Sequence, residues 1–170
     1  MRDDDAVTQI DRLLTTAQTY PARRAPEKHI DRHPRLNVAV VACMDSRIDL
    51  FDLLGLEDGD AHLLRNAGGV ITDDVIRSLV ISQRALGTRE ILLVHHTDCG
   101  LQTINEDEFK SDLERETGVR PAWAVEAFAD VNADVRQSLQ RIRHCPFFSD
   151  DVVVRGTVYD VDTHELHVVD

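Results

Sequence analysis

Two short segments of the chain hold side chains able to do chemistry. In "CMDSR", Cys43, Asp45 and Arg47 alternate with Met44 and Ser46; in "HHTDCG", His96 and Cys99 stand three positions apart. Thiolate sulfur and imidazole nitrogen are donors that zinc favours, and two thiolates offset the charge of a divalent ion. Three protein donors leave a fourth tetrahedral position for water, which separates catalytic zinc from closed structural zinc. Asp45 and Arg47 suit a paired, charge-assisted contact in which the guanidinium pins the carboxylate. The carboxylate can then accept a hydrogen bond from water at a metal. Each piece also has a plainer role. A cysteine ending a buried strand serves as a small hydrophobe, an H-x-x-C pair arises by chance, and most Asp–Arg pairs are solvated. The metal reading requires that the fold bring the two segments together.

Strands and helices alternate along the chain in a way that would do so. A strand over residues 36–42 delivers Cys43 at its end, and a short apolar helical run, "IDLFDLLG", closes at Gly55. A second strand, "AHLLRN", is turned by the glycines of "NAGG". Thr72 caps a helix whose first turn carries Asp73 and Asp74 and whose stripe is Val75, Ile76, Leu79, Val80 and Leu86, before Gly87 stops it. A third strand, "EILLV", runs into "HHTDCG", and "NEDEFKSDLERE" reads as a solvated helical face. A longer helix is expected from residue 122 to about 143, burying Val125, Phe128, Val131, Val135, Leu139 and Ile142. After Pro146, "DVVVRGTVYDVDTHELHVV" holds two strand-like runs around a turn. Ahead of all this, residues 4–19 carry Val7, Ile10, Leu14 and Ala17 at helical spacing. The Pro-broken "YPARRAPEKHIDRHPR" follows, so residues 1–35 read as a helix and an arm that reaches a partner. The fold class is α/β: one domain over residues 1–170, a mostly parallel β-sheet flanked by helices, with an antiparallel C-terminal edge strand. In such sheets ligands sit at the carboxyl ends of the strands, where Cys43 and "HHTDCG" both fall.

Composition narrows the partners. The 170 residues include 19 basic and 31 acidic side chains, a formal net charge of −12. That balance repels phosphate backbones and anionic lipid, so neither nucleic acid nor membrane is an expected partner. No apolar run approaches a membrane span and "MRDDDAV" does not read as a secretion signal, so a cytoplasmic location is expected. Three cysteines cannot all pair within one chain, and reduced thiols are commonly ligands or reactive groups. Cys145, before Pro146, reads as structural or as a free thiol, and Trp123 as a packing residue on the long helix or at a subunit interface.

Four strings in order, "CMDSR" from Cys43, "RNAGG" from Arg65, "HHTDCG" from His95 and "GTVYDVDTHEL" near the end, closely resemble the β-class carbonic anhydrases, in particular their short bacterial branch. The resemblance covers roughly residues 36–170. It implies a zinc enzyme, a carbonate dehydratase of the lyase class, that interconverts carbon dioxide and bicarbonate as a homodimer or dimer of dimers. It implies Cys43, His96 and Cys99 as ligands, Asp45 and Arg47 as the catalytic dyad, and Asp45 as a fourth ligand in a closed state. Gly68, Val70 and Gly100 are the expected substrate-pocket residues. Many plant-like members carry a glutamine before the first metal cysteine; here there is none, and His33 or a partner's backbone would have to stand in. Relatives with the same ligands hydrolyse carbon disulfide or carbonyl sulfide, and a closed, non-catalytic zinc protein is a third reading. Hydration releases a proton each turnover, and histidine is the natural carrier. His29, His33, His62 and His95 are candidates, each with an ordinary surface or packing role as its alternative; His95 should face away from His96.

Overall fold

Five strands form one sheet in the order β2-β1-β3-β4-β5 in the computed structural model, which describes residues 7–23 and 30–169. They are β1 (Val38–Cys43), β2 (Ala61–Asn66), β3 (Glu90–His96), β4 (Val153–Tyr159) and β5 (Leu166–Val169). The first four run parallel, and β5 pairs antiparallel with β4 as an edge strand. The α/β reading therefore stands. Strand β1 begins at Val38 rather than residue 36, because Leu36 is exposed and Asn37 has φ 55°, which breaks the extended chain. Every residue of β1 after Val38 is buried, as expected for a central parallel strand.

Alternate residues of each strand feed two apolar layers. One holds Ala39, Val41, Ile91 and Leu93 against Val75 and Leu79 of α4 (Asp73–Leu86) and Val135, Leu139 and Ile142 of α6 (Val131–Arg143). The other holds Val40, Ala42 and Val94 with Ile48, Leu101 and Leu50, the last at the start of α3 (Leu50–Leu54). Helix α6 seats closely on β4 because Gly156 has no side chain: a Cβ there would collide with Val135 and press on Leu139.

The long helix expected from residue 122 is a correction. It starts at Val131, capped by Asp130, whose side chain accepts from Ala133 N at 2.9 Å. Val125 and Phe128 lie outside it, in an irregular segment that follows Pro121 and contains Glu126 at φ 59°. Their helical spacing is coincidental, and the Asp130 cap sets the start instead. Helix α5 (Glu106–Thr117) buries nothing, in keeping with its acidic sequence.

Residues 1–30 form one compact unit and 31–170 another. Within the first, α1 (Gln9–Gln18) is capped by a reciprocal Thr8–Asp11 box and followed by α2 (Tyr20–Arg23). The expected start of α1 at residue 4, and residues 24–29 of the arm with His29, lie outside the described residues. Val7, Ile10, Leu13 and Leu14 are all exposed. Among the described residues no helix is long and apolar enough to cross a membrane.

Candidate metal centre

Parallel pairing places the ends of β1 and β3 side by side, and with them the two reactive segments. Ala42 pairs with Val94, so Cys43 leaves the sheet beside His95 and His96. Gly69, at φ 72°, packs against the chain there; a Cβ would stand 2.8 Å from Cys43 N, so only glycine fits without displacing the backbone. After His96 the chain turns through Asp98 at φ 54° and brings Cys99 back to the same spot. One donor atom each from Cys43, His96 and Cys99 lies within 4.8 Å of the others, and all three residues are buried.

The histidine is set up as a ligand. His96 Nδ1 lies 2.8 Å from the Thr97 carbonyl, an acceptor, so Nδ1 carries the proton and Nε2 keeps its lone pair. That Nε2 is buried without a hydrogen-bond partner. Leaving a buried polar atom unpaired costs on the order of 1–3 kcal/mol, and a metal ion between the sulfurs would satisfy it. The donor set therefore fits zinc. Burial, the largest influence on the Cys43 thiol, raises its pKa, but His96 and the backbone N–H groups of Asp45 and Gly68 outweigh it and the net shift is downward. Burial pushes Cys99 up to about 11.

Asp45 and Arg47 pair as expected. Arg47 Nε donates to Oδ1 at 3.0 Å and Nη2 to Oδ2 at 2.8 Å, while the Arg47 backbone N–H adds a third bond at 2.9 Å. The side-chain bond from Arg47 holds the Asp45 carboxyl well below the usual carboxylate range. Arg47 also donates to Asp98 Oδ2 at 2.8 Å and to the Asp98 carbonyl at 3.0 Å, tying the two segments together. Asp45 Oδ2 then stands 3.8 Å from His96 Nε2, next to the donor cluster.

Sequence reasoning missed Arg65. Its guanidinium donates to the carbonyls of Cys43 (2.9 Å), Ile48 (3.1 Å) and Asp45 (2.6 Å), holding the turn that carries the dyad. The string "RNAGG" contained it, but nothing local to that string points at residues 43–48.

The expected pocket residues separate. Val70 lines a cavity of about 330 Å³ with Asn66, Leu101, Ile104, Phe109 and Trp123. Gly68 does not line it; at φ 80° it packs against Leu101, which a Cβ would approach to 2.7 Å. Gly100 faces open space. Trp123 is exposed and stands outside any helix, so its placement on the long helix is corrected.

The histidine candidates also separate. His33 bonds Asp31 and lies near Gly87, where the parallel strands begin, at the opposite end of its own chain's strands from Cys43 and His96. His62 is held by Ser82 and the Arg32 carbonyl. His95 faces away from His96, as expected, and is fully buried with Nε2 2.7 Å from Asp134 Oδ2.

Comparison with known proteins places this geometry in a recognised group. The family model described as carbonic anhydrase matches residues 38–154. Beta-carbonic anhydrase 1 of Mycobacterium tuberculosis is 54% identical over 136 residues, covering 80% of this chain and 83% of that protein. A carbon disulfide hydrolase of Acidianus sp. is 34% identical over 181 residues, covering 92% and 87%. The crystal structure of carbonic anhydrase from Streptococcus mutans superposes with a TM-score of 0.90 at 41% identity, covering 97% of this chain and 99% of that one.

Proposed function

Because the chain belongs to the β-carbonic anhydrase family, we propose that Cys43, His96 and Cys99 hold the zinc ion of a lyase that reversibly hydrates carbon dioxide to bicarbonate and a proton. The observation that carries the ligand set is the buried, unpartnered His96 Nε2 among donor atoms within 4.8 Å of one another. Zinc held there would supply Lewis acidity, lowering the pKa of water to about 7 so that a nucleophile exists at neutral pH.

The protein's own groups orient that chemistry. Asp45, kept ionised by Arg47, is acceptor-only; it takes the O–H of the reacting water and so aims the oxygen lone pair at the substrate carbon. Arg47, anchored also on Asp98, holds Asp45 in the dyad, which would leave the fourth position of a zinc ion held by the three donors open to water. Freed from Arg47, Asp45 would take that position and close the site. Carbon dioxide is small and apolar, and of the expected pocket residues Val70, which lines the cavity with Leu101, is the one placed to border its approach.

A second reading, hydrolysis of carbon disulfide, is favoured by the Acidianus relative, whose match spans 92% of the chain. The higher identity to a β-carbonic anhydrase ranks carbon dioxide first. Stopped-flow hydration with a pH indicator on zinc-loaded protein tests the reading, with sulfide release from carbon disulfide as the second arm. Rapid hydration is expected. Sulfide release without hydration would overturn the first reading in favour of the second.

The working unit in this proposal is a homodimer or dimer of dimers. The exposed stripe of Ile10, Leu13 and Leu14 on α1, with Val7 just before its cap, needs another surface to cover it. The unpaired Cys43, Cys99 and Cys145 suit the reducing cytoplasm, where we place the protein.

A further inference from the structure

Hydration leaves a proton in a buried cleft, and the described histidines considered from sequence do not carry it: His33 sits at the opposite sheet edge, His62 is held by Ser82 and Arg32, and His95 is sealed on the other face. One more histidine lies at the right edge. Tyr159 is the register partner of His96 on the neighbouring parallel strand, so the two side chains leave the same face of the sheet. Tyr159 is buried in the same layer as Cys43 and Cys99. Its hydroxyl lies 2.6 Å from Nδ1 of His164, an exposed residue. The pair thus spans from the layer around the metal ligands to solvent.

The backbone at His164 points the same way. Its φ is 63°, in the left-handed region where glycine is the undemanding choice. The turn does not depend on the imidazole: Asp160 Oδ1 accepts from the N–H groups of Asp162 (2.9 Å) and Thr163 (3.0 Å), and its carbonyl accepts from His164 N at 2.9 Å. A bulky side chain kept in a strained position that the turn does not need is a mark of function.

We propose that Tyr159 and His164 form the proton exit of this enzyme, a reading that rests on the carbonic anhydrase assignment. As water in the cleft gives a proton to the Tyr159 oxygen, the Tyr159 hydroxyl proton passes to His164 Nδ1, so the tyrosine ends unchanged and an imidazolium forms. Buffer then takes the Nε2 proton, and exchange with solvent restores the tautomer. The net result is one proton moved from cleft to bulk, with no electron transfer.

The test uses full-length, zinc-loaded enzyme and the variants His164→Asn and Tyr159→Phe; asparagine tolerates the left-handed backbone, so the turn survives. In dilute buffer each variant should lose about tenfold or more in kcat, with kcat/KM unchanged, because kcat/KM reports the hydration step and not the later proton release. Imidazole or concentrated buffer should restore kcat in His164→Asn. Independently of activity, the 15N resonance of His164 Nδ1 should show a hydrogen-bonded shift that Tyr159→Phe removes. A His164→Asn enzyme with wild-type kcat in dilute buffer would overturn the relay, as would kcat and kcat/KM falling together without rescue. A wild type that does not hydrate carbon dioxide would overturn the assignment and the relay with it, a result distinct from either.

Discussion

Arg47 serves both the dyad and the link between the two site segments. It makes two side-chain bonds to Asp45 and two bonds to Asp98. Replacing it with alanine leaves every metal donor in place, so Arg47→Ala should retain zinc while losing hydration by about 10- to 100-fold, the usual effect of removing a group that orients metal ligands or bound water. Elemental analysis and stopped-flow rates check the two halves separately, and a crystal structure should find Asp45 moved toward the metal. Cys99→Ser has the opposite signature: it removes a thiolate that zinc prefers, so metal content itself should fall. Full zinc occupancy in that variant would remove Cys99 from the ligand set.

Elements position the site through close approaches that tolerate little added volume. Gly156 lets α6 rest on β4, where a Cβ would collide with Val135 and sit 3.2 Å from Leu139 Cδ1. Gly156→Ala should therefore cost about 1–3 kcal/mol by overpacking, read as a lowered urea midpoint. The packing lies on the sheet face away from Cys43 and Cys99, so activity per folded molecule should hardly change. Were stability unaffected, the helix would have to be free to shift away from the sheet.

At the scale of the whole molecule, the unresolved demand is the apolar stripe of α1, with Ile10, Leu13 and Leu14, and Val7 just before the helix, between 58% and 69% exposed. An amphipathic helix with no buried residue gains little from folding alone. Intact protein should sediment as a dimer or larger at micromolar concentration, and deletion of residues 1–30 should weaken that association. An intact protein that light scattering finds monomeric would remove the proposed role of α1.

What the sequence determined by itself was whatever residue type and short-range period encode. The donors Cys43, His96 and Cys99 announce themselves by chemistry, and the buried run of β1 and the capped helix after Thr72 announce themselves by periodicity. Even there a period can mislead, as the spacing of Val125 and Phe128 did ahead of the true start of α6 at Val131. Only the tertiary structure decided which side chains meet across strands. Arg65 reaching the carbonyls of residues 43, 45 and 48, Arg47 reaching Asp98, and Tyr159 lying in register with His96 all depend on how parallel strands align. That alignment is set by the packing of whole layers against α4 and α6, an energy shared among residues distant in the chain and so not carried by any local pattern.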